Sequence, residues 1–315
     1  MLARAFVLGL VDCSEGMERH NVTVFDKRQG RLPGVRTVVG DHEDFAAVAA
    51  VVAGADAVLH LSASHLTPGM SPVDVFRSNV LGLYNVHEAA RIHGVKRVVH
   101  WSSVAALGWS GFNEAFMPDY LPIDEHHPLR ATDAYGLSKV AGEHIAAAFS
   151  ERHGMETIAL RHVWTIGPSA CMRLWKDGGK HGGRYHGKWI HYAYLDVRDA
   201  AVAARRALEV PAPGHTVLYL AADDSCAPAP LSELLPGLRP AVADMASHLA
   251  RTQSAISNAR AKTFLGWQPV HSWRTPPSYA ARLRFDAQRL AAKVAKQLPN
   301  PVRSGIRTLR HRVRS

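Results

Sequence analysis

The sequence predicts an α/β protein: a doubly wound parallel sheet with a small C-terminal subdomain. Strand-like and helix-like segments alternate through residues 1–165, the pattern of βαβ units with helices on both faces of a sheet. The polar residues that stand out, Asp26, Asp41, Ser62 and Ser103, each fall just after a strand-like run, and parallel sheets bind ligands at the carboxyl ends of their strands. A length of 315 residues, with 47% hydrophobic and 20% charged side chains, suits a soluble globular unit with an appendage.

Strands are expected at Val22–Phe25, Ala57–Leu61, Val98–Ser102 and Thr157–Leu160, where β-branched and aromatic residues cluster. Helical patterns run over Phe45–Val52, Val75–Ile92 and Tyr135–Arg152. After Pro168 the pattern loosens. A loop rich in Gly, His and Lys spans Lys176–Lys188, Tyr194–Leu208 reads as a strand end and a helix, and Val217–Leu220 as a further strand. Pro228–Pro240 is a proline-bounded connector with a short helix, and Gly266-Trp267-Gln268-Pro269 marks a turn.

Three dispersed cysteines, Cys13, Cys171 and Cys226, form no metal or redox motif and suit a reducing cytosol. No apolar run reaches the roughly 18–20 residues of a membrane span, and no small-residue cleavage site follows the short apolar start. The expected location is cytoplasmic. Of the net charge of +10, eight units come from Lys and Arg beyond Asp286, where there is no acid. The body is thus near neutral, which argues against specific nucleic-acid binding. Residues 287–315 form a basic tail whose apolar residues fall at helical spacing, leaving contact with an anionic membrane open. The 19 histidines show no metal-ligand spacing, so no metal is expected, and His126-His127 reads as surface loop.

Tyr135 and Lys139 stand four residues apart, on one face of an expected helix. An ammonium beside a phenol favours phenolate, which predicts a tyrosine pKa lowered from about 10 towards neutrality. Such a phenol passes a proton to or from a carbonyl or alcohol near neutral pH. Ser103 ends a strand 32 residues earlier and would hold the substrate oxygen. This is the chemistry of hydride exchange with a nicotinamide.

Further motifs carry a resemblance. They are Val24-Phe25-Asp26, Gly40-Asp41, the run from Val58 to Ala63, Asn79-Val80-Leu81-Gly82, Ser102-Ser103 with Gly108, Pro122-Ile123-Asp124-Glu125 and the stretch from Tyr135 to Lys139. Leu195 to Ala200 and Leu265 to Pro269 follow. Over residues 2–274 the chain resembles the extended short-chain dehydrogenase/reductases, specifically the NAD-dependent epimerase/dehydratase family. The resemblance implies a Rossmann-like fold with Tyr135 as general acid/base, Lys139 as its tuning group and nicotinamide-ribose ligand, and Ser103 as the substrate-orienting hydroxyl. It implies that Asp26 binds the adenosine ribose, favouring NAD, while the nearby Arg28 leaves NADP open. Asp41 would meet the adenine, Leu61, Ser62 and Ala63 would line the cofactor with backbone, and Asn79 would support the Lys139 network. A homodimer is compatible with it.

The family pattern also calls for a first strand and a glycine-rich turn that lets backbone approach the pyrophosphate. Only Gly9 and Gly16 precede Asp26, and neither spacing fits. Either Leu2–Val7 belongs to the first helix, the preferred alignment, or Ala5–Val11 is a first strand before a degenerate loop. Both compromise the phosphate cradle.

The expected organisation is a cofactor-binding unit over 1–167, rejoined by 188–222, and a substrate subdomain over 168–187 and 223–286. Only 28 residues separate Pro168 from Asp196, shorter than in nucleotide-sugar relatives. That points to a small sugar, sugar acid or carbonyl/alcohol substrate, with Trp164, Trp175, Lys176 and His191 as candidate pocket residues. The leading expectation is an NAD(P)-dependent oxidoreductase. The alternatives are a sugar epimerase/dehydratase, or an inactive relative that binds partners.

Overall fold

The computed structural model describes residues 20–29, 35–65, 69–108, 116–180, 192–275 and 278. Strand β1 (Thr23–Asp26) pairs in parallel with β2 (Arg36–Val39). A second, wholly parallel sheet has the order β3 (Ala57–His60), β4 (Arg97–Ser103), β5 (Glu156–His162) and then the last strand in sequence, His215–Leu220. Between β5 and that last strand the chain makes a separate parallel pair, β6 (Trp164–Ile166) and β7 (Tyr194–Asp196), so the last strand is β8. Among the described residues no ladder joins β1–β2 to β3. The expectations about the first strand and the glycine turn fall on residues 1–19, outside those described.

Helices cover both faces of the larger sheet. The crossover helices α1 (Phe45–Val52), α2 (Pro72–Ile92) and α3 (Ala134–His153) lie on one side. There Val48, Val52, Val86, Ala89, Ala90 and Phe149 close over Val98. On the opposite side α5 (Val197–Glu209) lays Ala200, Ala203, Ala204 and Ala207 against Val99, Ile158, Leu160 and Leu218. Small side chains let this helix approach the strands closely. A smaller core joins β6–β7 to α4 (Pro168–Asp177), α6 (Leu231–Leu238) and Trp273 through Ile166, Leu174, Tyr194, Leu231 and Leu235. Two short helices, α7 (Ala243–Ser247) and α8 (Ala259–Leu265), complete the described elements.

Local chemistry sets the helix ends. Asp44, Ser71, Asp133 and Asp196 each accept a hydrogen bond from a backbone N–H of the first turn, satisfying donors that the helix leaves open. Strands β4 and β5 are buried almost throughout, which explains their continuous apolar reading. The predicted helices and main strands occur within a few residues of the expected bounds. Strands β2 and β6 and helices α4, α7 and α8 were not expected. Each of the two strands is too short, at 4 and 3 residues, to show a period.

Burial also makes the fold acid-sensitive. His87 is fully buried on α2, beside Phe149 and His100, with its Nδ1 2.9 Å from the Leu83 carbonyl. Desolvation lowers its pKa from the ordinary 6.5 to about 4. The unfolded chain therefore binds a proton that the folded chain refuses. The contribution of His87 is complete above pH 6.5 and is lost as the pH falls towards 4. Over that window it amounts to about 3 kcal/mol. Urea unfolding is expected to show stability falling through this range, and His87→Phe should reduce the slope while the other buried imidazoles keep the rest. An unchanged slope would remove His87 from the account.

Candidate active site

Helix α3 is laid along the carboxyl half of β4, and their contact builds the site. Asp133 caps the helix, accepting from the N–H groups of Tyr135 and Gly136, both at 3.0 Å. Gly136 lets the first turn press on the segment after β4: a Cβ there would stand 2.6 Å from the Ala105 carbonyl oxygen. Tyr135, Lys139 and Glu143 follow at helical spacing and share one face. They meet three consecutive residues of β4. The Tyr135 phenol faces Ser103, whose hydroxyl favours its ionised form, the Trp101 carbonyl accepts from Lys139 Nζ at 2.8 Å, and the Ser102 hydroxyl donates to Glu143 Oε1 at 2.6 Å. Ser103 also accepts from the Ala105 N–H at 3.1 Å, capping a short 3-10 turn.

The expected acidic phenol is not found. Burial pushes the Tyr135 pKa up to about 12, with Asp133 adding to the rise and the Ser103 hydrogen bond opposing it. Lys139 Nζ lies 5.3 Å from the centre of the Tyr135 ring, and burial pulls its own pKa down to about 8. Desolvation is the largest cause of both shifts. Two further imidazoles stand here that the sequence did not mark. His65 packs against the Tyr135 ring, with centroids 4.4 Å apart. His162 stacks on Trp101 at 5.1 Å and is held near pKa 3 by burial.

The residues expected at the cofactor lie along the same edge of the fold. Asp26 ends β1 with an exposed carboxylate, one oxygen of which accepts from the Arg28 N–H at 2.8 Å. Asp41 follows β2 and is ion-paired with Lys27 at 2.9 Å. Leu61, Ser62 and Ala63 form irregular chain directly after β3. Asn79 pins that chain: its side chain accepts from the Ser64 N–H at 2.6 Å and donates to the Ser64 carbonyl and to the Ser138 hydroxyl, both at 3.0 Å. It reaches Lys139 only through its neighbour Ser138. Asp41, His42 and Glu43 bring ligand-type atoms together, but the Lys27 ammonium already pairs with both carboxylates. His127 corrects the surface expectation: it is buried, with Nε2 accepting from the Asp119 N–H at 2.9 Å. Trp164 and Trp175 are half-buried, Lys176 is exposed, and His191 lies outside the described residues.

Residues 11–218 match the family described as NAD dependent epimerase/dehydratase. The chain belongs to that family. It is 34% identical over 194 residues to a uronate dehydrogenase of Pseudomonas syringae pv. tomato, covering 59% of this chain and 62% of that one. It is 30% identical over 199 residues to an L-arabinose 1-dehydrogenase (NAD(P)+) of Haloferax volcanii, covering 62% and 75%. Among solved structures, a short-chain dehydrogenase/reductase superfamily protein of Agrobacterium tumefaciens with bound NAD superposes with a TM-score of 0.67 at 26% identity, covering 93% of this chain and 96% of that one. The matched stretch thus spans about three fifths of the uronate dehydrogenase.

The donor set fits a nicotinamide dinucleotide. An exposed carboxylate stands at the end of β1, a backbone strip follows β3, and a lysine and a phenol sit at the end of β4. Both Asp133 and Gly136 were within reach of sequence reading as a cap and a close contact, whereas His65 and His162 carried no signal. The Gly136 contact is testable. Gly136→Ala should lift α3 off β4, costing about 1–3 kcal/mol as overpacking does. Chemical denaturation measures this, and an unchanged midpoint would mean that the turn yields without strain.

Proposed function

We propose that this protein is an NAD-dependent dehydrogenase of a small sugar or sugar acid. The reading rests on one observation: Ser103, Tyr135 and Lys139 converge at the end of β4. The names of its uronate and arabinose dehydrogenase relatives support the substrate class, as does the short connection between β6 and β7. In this reading the smaller core around β6–β7, α4 and α6 contributes the substrate side of the cleft.

Ser103 would hold the reacting oxygen while Tyr135 moves its proton. With its pKa near 12, Tyr135 rests protonated at neutral pH, so in this state it is a proton donor to a carbonyl. When bound, NAD supplies the hydride acceptor and a positive charge that favours phenolate during alcohol oxidation. Lys139 would add its ammonium to that field and hold the nicotinamide ribose. Asp26 would accept from the adenosine ribose hydroxyls and repel a 2′-phosphate, which favours NAD over NADP. Asp41 would stand at the adenine, with Leu61, Ser62 and Ala63 along the cofactor.

We also infer a homodimer. Val73, Phe76, Leu81 and Tyr84 on α2 and Leu137 on α3 are exposed on two helices packed side by side, and a second copy would cover them. Sedimentation giving a monomer at micromolar concentration would refute this.

Calorimetry should show NAD binding more tightly than NADP, and sugar acids should be oxidised with NAD reduction followed by absorbance. Tyr135→Phe should lower kcat by about 10²–10⁴-fold while leaving the NAD Kd within a few-fold. Failure of the wild-type protein to bind either dinucleotide would overturn the assignment.

A further inference from the structure

The face of α3 that carries Tyr135 and Lys139 continues one turn further, to Glu143, and there the structure is more elaborate than a helix anchor requires. Glu143 is buried, and so is its partner Arg161 on β5. The two make a bidentate pair: Arg161 Nε donates to Glu143 Oε1 at 2.9 Å and Nη2 to Oε2 at 2.7 Å. Oε1 also accepts the Ser102 hydroxyl. The remaining arm of Arg161 donates to the Tyr219 hydroxyl at 3.2 Å, with the guanidinium 5.2 Å from that ring's centre. Ser102, Arg161 and Tyr219 are direct register partners across β4, β5 and β8. The carboxylate is thus fixed against three strands and has no freedom to move away from the helix.

The surroundings of Lys139 give that fixed charge a purpose. The titratable groups that act on the ammonium come from every element around it. They are Tyr135 and Glu143 on α3, His42 after β2, His60 on β3, His65 in the chain after β3, His100 on β4 and His162 at the end of β5. Burial holds all five imidazoles below their ordinary pKa and holds the phenol above its own. Around a buried ammonium the shell is otherwise neutral, and its imidazoles can become only cationic. Among the described residues Glu143 is the one anion in it. A buried ammonium without a counter-charge sheds its proton.

We infer that Glu143 is a positioning residue for Lys139: clamped by Ser102 and Arg161, its carboxylate is the counter-charge that keeps the buried lysine an ammonium beside Tyr135. Arg161 fixes the carboxylate and shares its charge, its own pKa being raised by the same contact. The inference rests on the dehydrogenase reading only for the use made of Lys139, and its test needs neither cofactor nor substrate.

Lys139 is to be titrated by NMR in protein labelled at lysine Cε, its resonance assigned by Lys139→Arg. The wild-type midpoint is expected near 8. Glu143→Gln keeps the shape and the Ser102 contact but leaves Arg161 uncompensated, and should lower the Lys139 midpoint by about one pH unit or more. The double variant Glu143→Gln/Arg161→Gln removes that stray positive charge. It should recover part of the shift and remain below wild type. A role confined to packing leaves Lys139 to feel only the stray guanidinium of the single variant, so the double variant would return to the wild-type midpoint. Should the single variant fail to fold, the double variant, which leaves no stray guanidinium, still gives the comparison with wild type. A Lys139 midpoint unchanged from wild type in either variant overturns the inference. Calorimetry with NAD separates the two claims: wild-type protein that binds no NAD sinks the dehydrogenase reading and leaves the Lys139 shift standing.

Discussion

The structure depends on how α3 is seated on β4. Tyr135, Lys139 and Glu143 make one stripe on the helix, and the backbone and side chains of Trp101, Ser102 and Ser103 meet it rung by rung. The seat is polar in a place where the rest of the interface is apolar. Polar groups in such a position destabilise unless each is paired, and here Lys139 and Glu143 each find a partner on β4. The reactive groups are therefore held by the same bonds that hold the helix. Their geometry cannot loosen without lifting an element of the core.

That arrangement explains why a buried ion pair stands under the candidate active site. A charged pair in the interior gives little net stability compared with apolar residues of the same shape. Arg161 and Glu143 stabilise the fold mainly in the sense that breaking one of them is costly. Their value lies in direction: a carboxylate fixed from three strands has one orientation, whereas an exposed glutamate would sample many. The surrounding imidazoles sharpen the effect, because neutral buried rings neither screen nor replace the charge.

Much of this was legible in the sequence because it is local. The Tyr135–Lys139 spacing, the strand ending at Ser103 and the acid at the end of β1 are short-range patterns, and each led to the right element. Where the reading failed, the cause was not local. The phenol pKa was expected to fall because a lysine lies four residues away. It rises because tertiary burial strips the phenol of water. Glu143 lay in plain sight four residues beyond Lys139, but its meaning depends on Arg161, Ser102 and Tyr219, which only strand register brings together. His127 looked like loop surface, yet a single backbone donor from Asp119 makes it part of the interior.

The same dependence on distant contacts governs how the two halves of the cleft are held. Asp26 and Asp41 belong to the β1–β2 pair, and Ser103, Tyr135 and Lys139 to the larger sheet, with no described ladder between them. Helix α2 makes the connection. Asn85 donates to the carbonyls of His42 and Glu43 at 3.0 and 3.1 Å, Arg77 pairs with Glu43, and the His42 ring lies over Gly82, where no side chain fits beneath it. His42 then reaches both Ser78 on α2 and His60 on β3. The placement of the acid that would read the ribose relative to the phenol that would move the proton thus rests on side-chain contacts: those of α2, the His42–His60 contact and the packing of Phe25 in the same apolar cluster as Val58. Backbone ladders resist displacement collectively, whereas a handful of side-chain bonds can be altered singly. A change at Asn85 or Gly82 would therefore alter the fit of a dinucleotide across the cleft while leaving Ser103, Tyr135 and Lys139 in register.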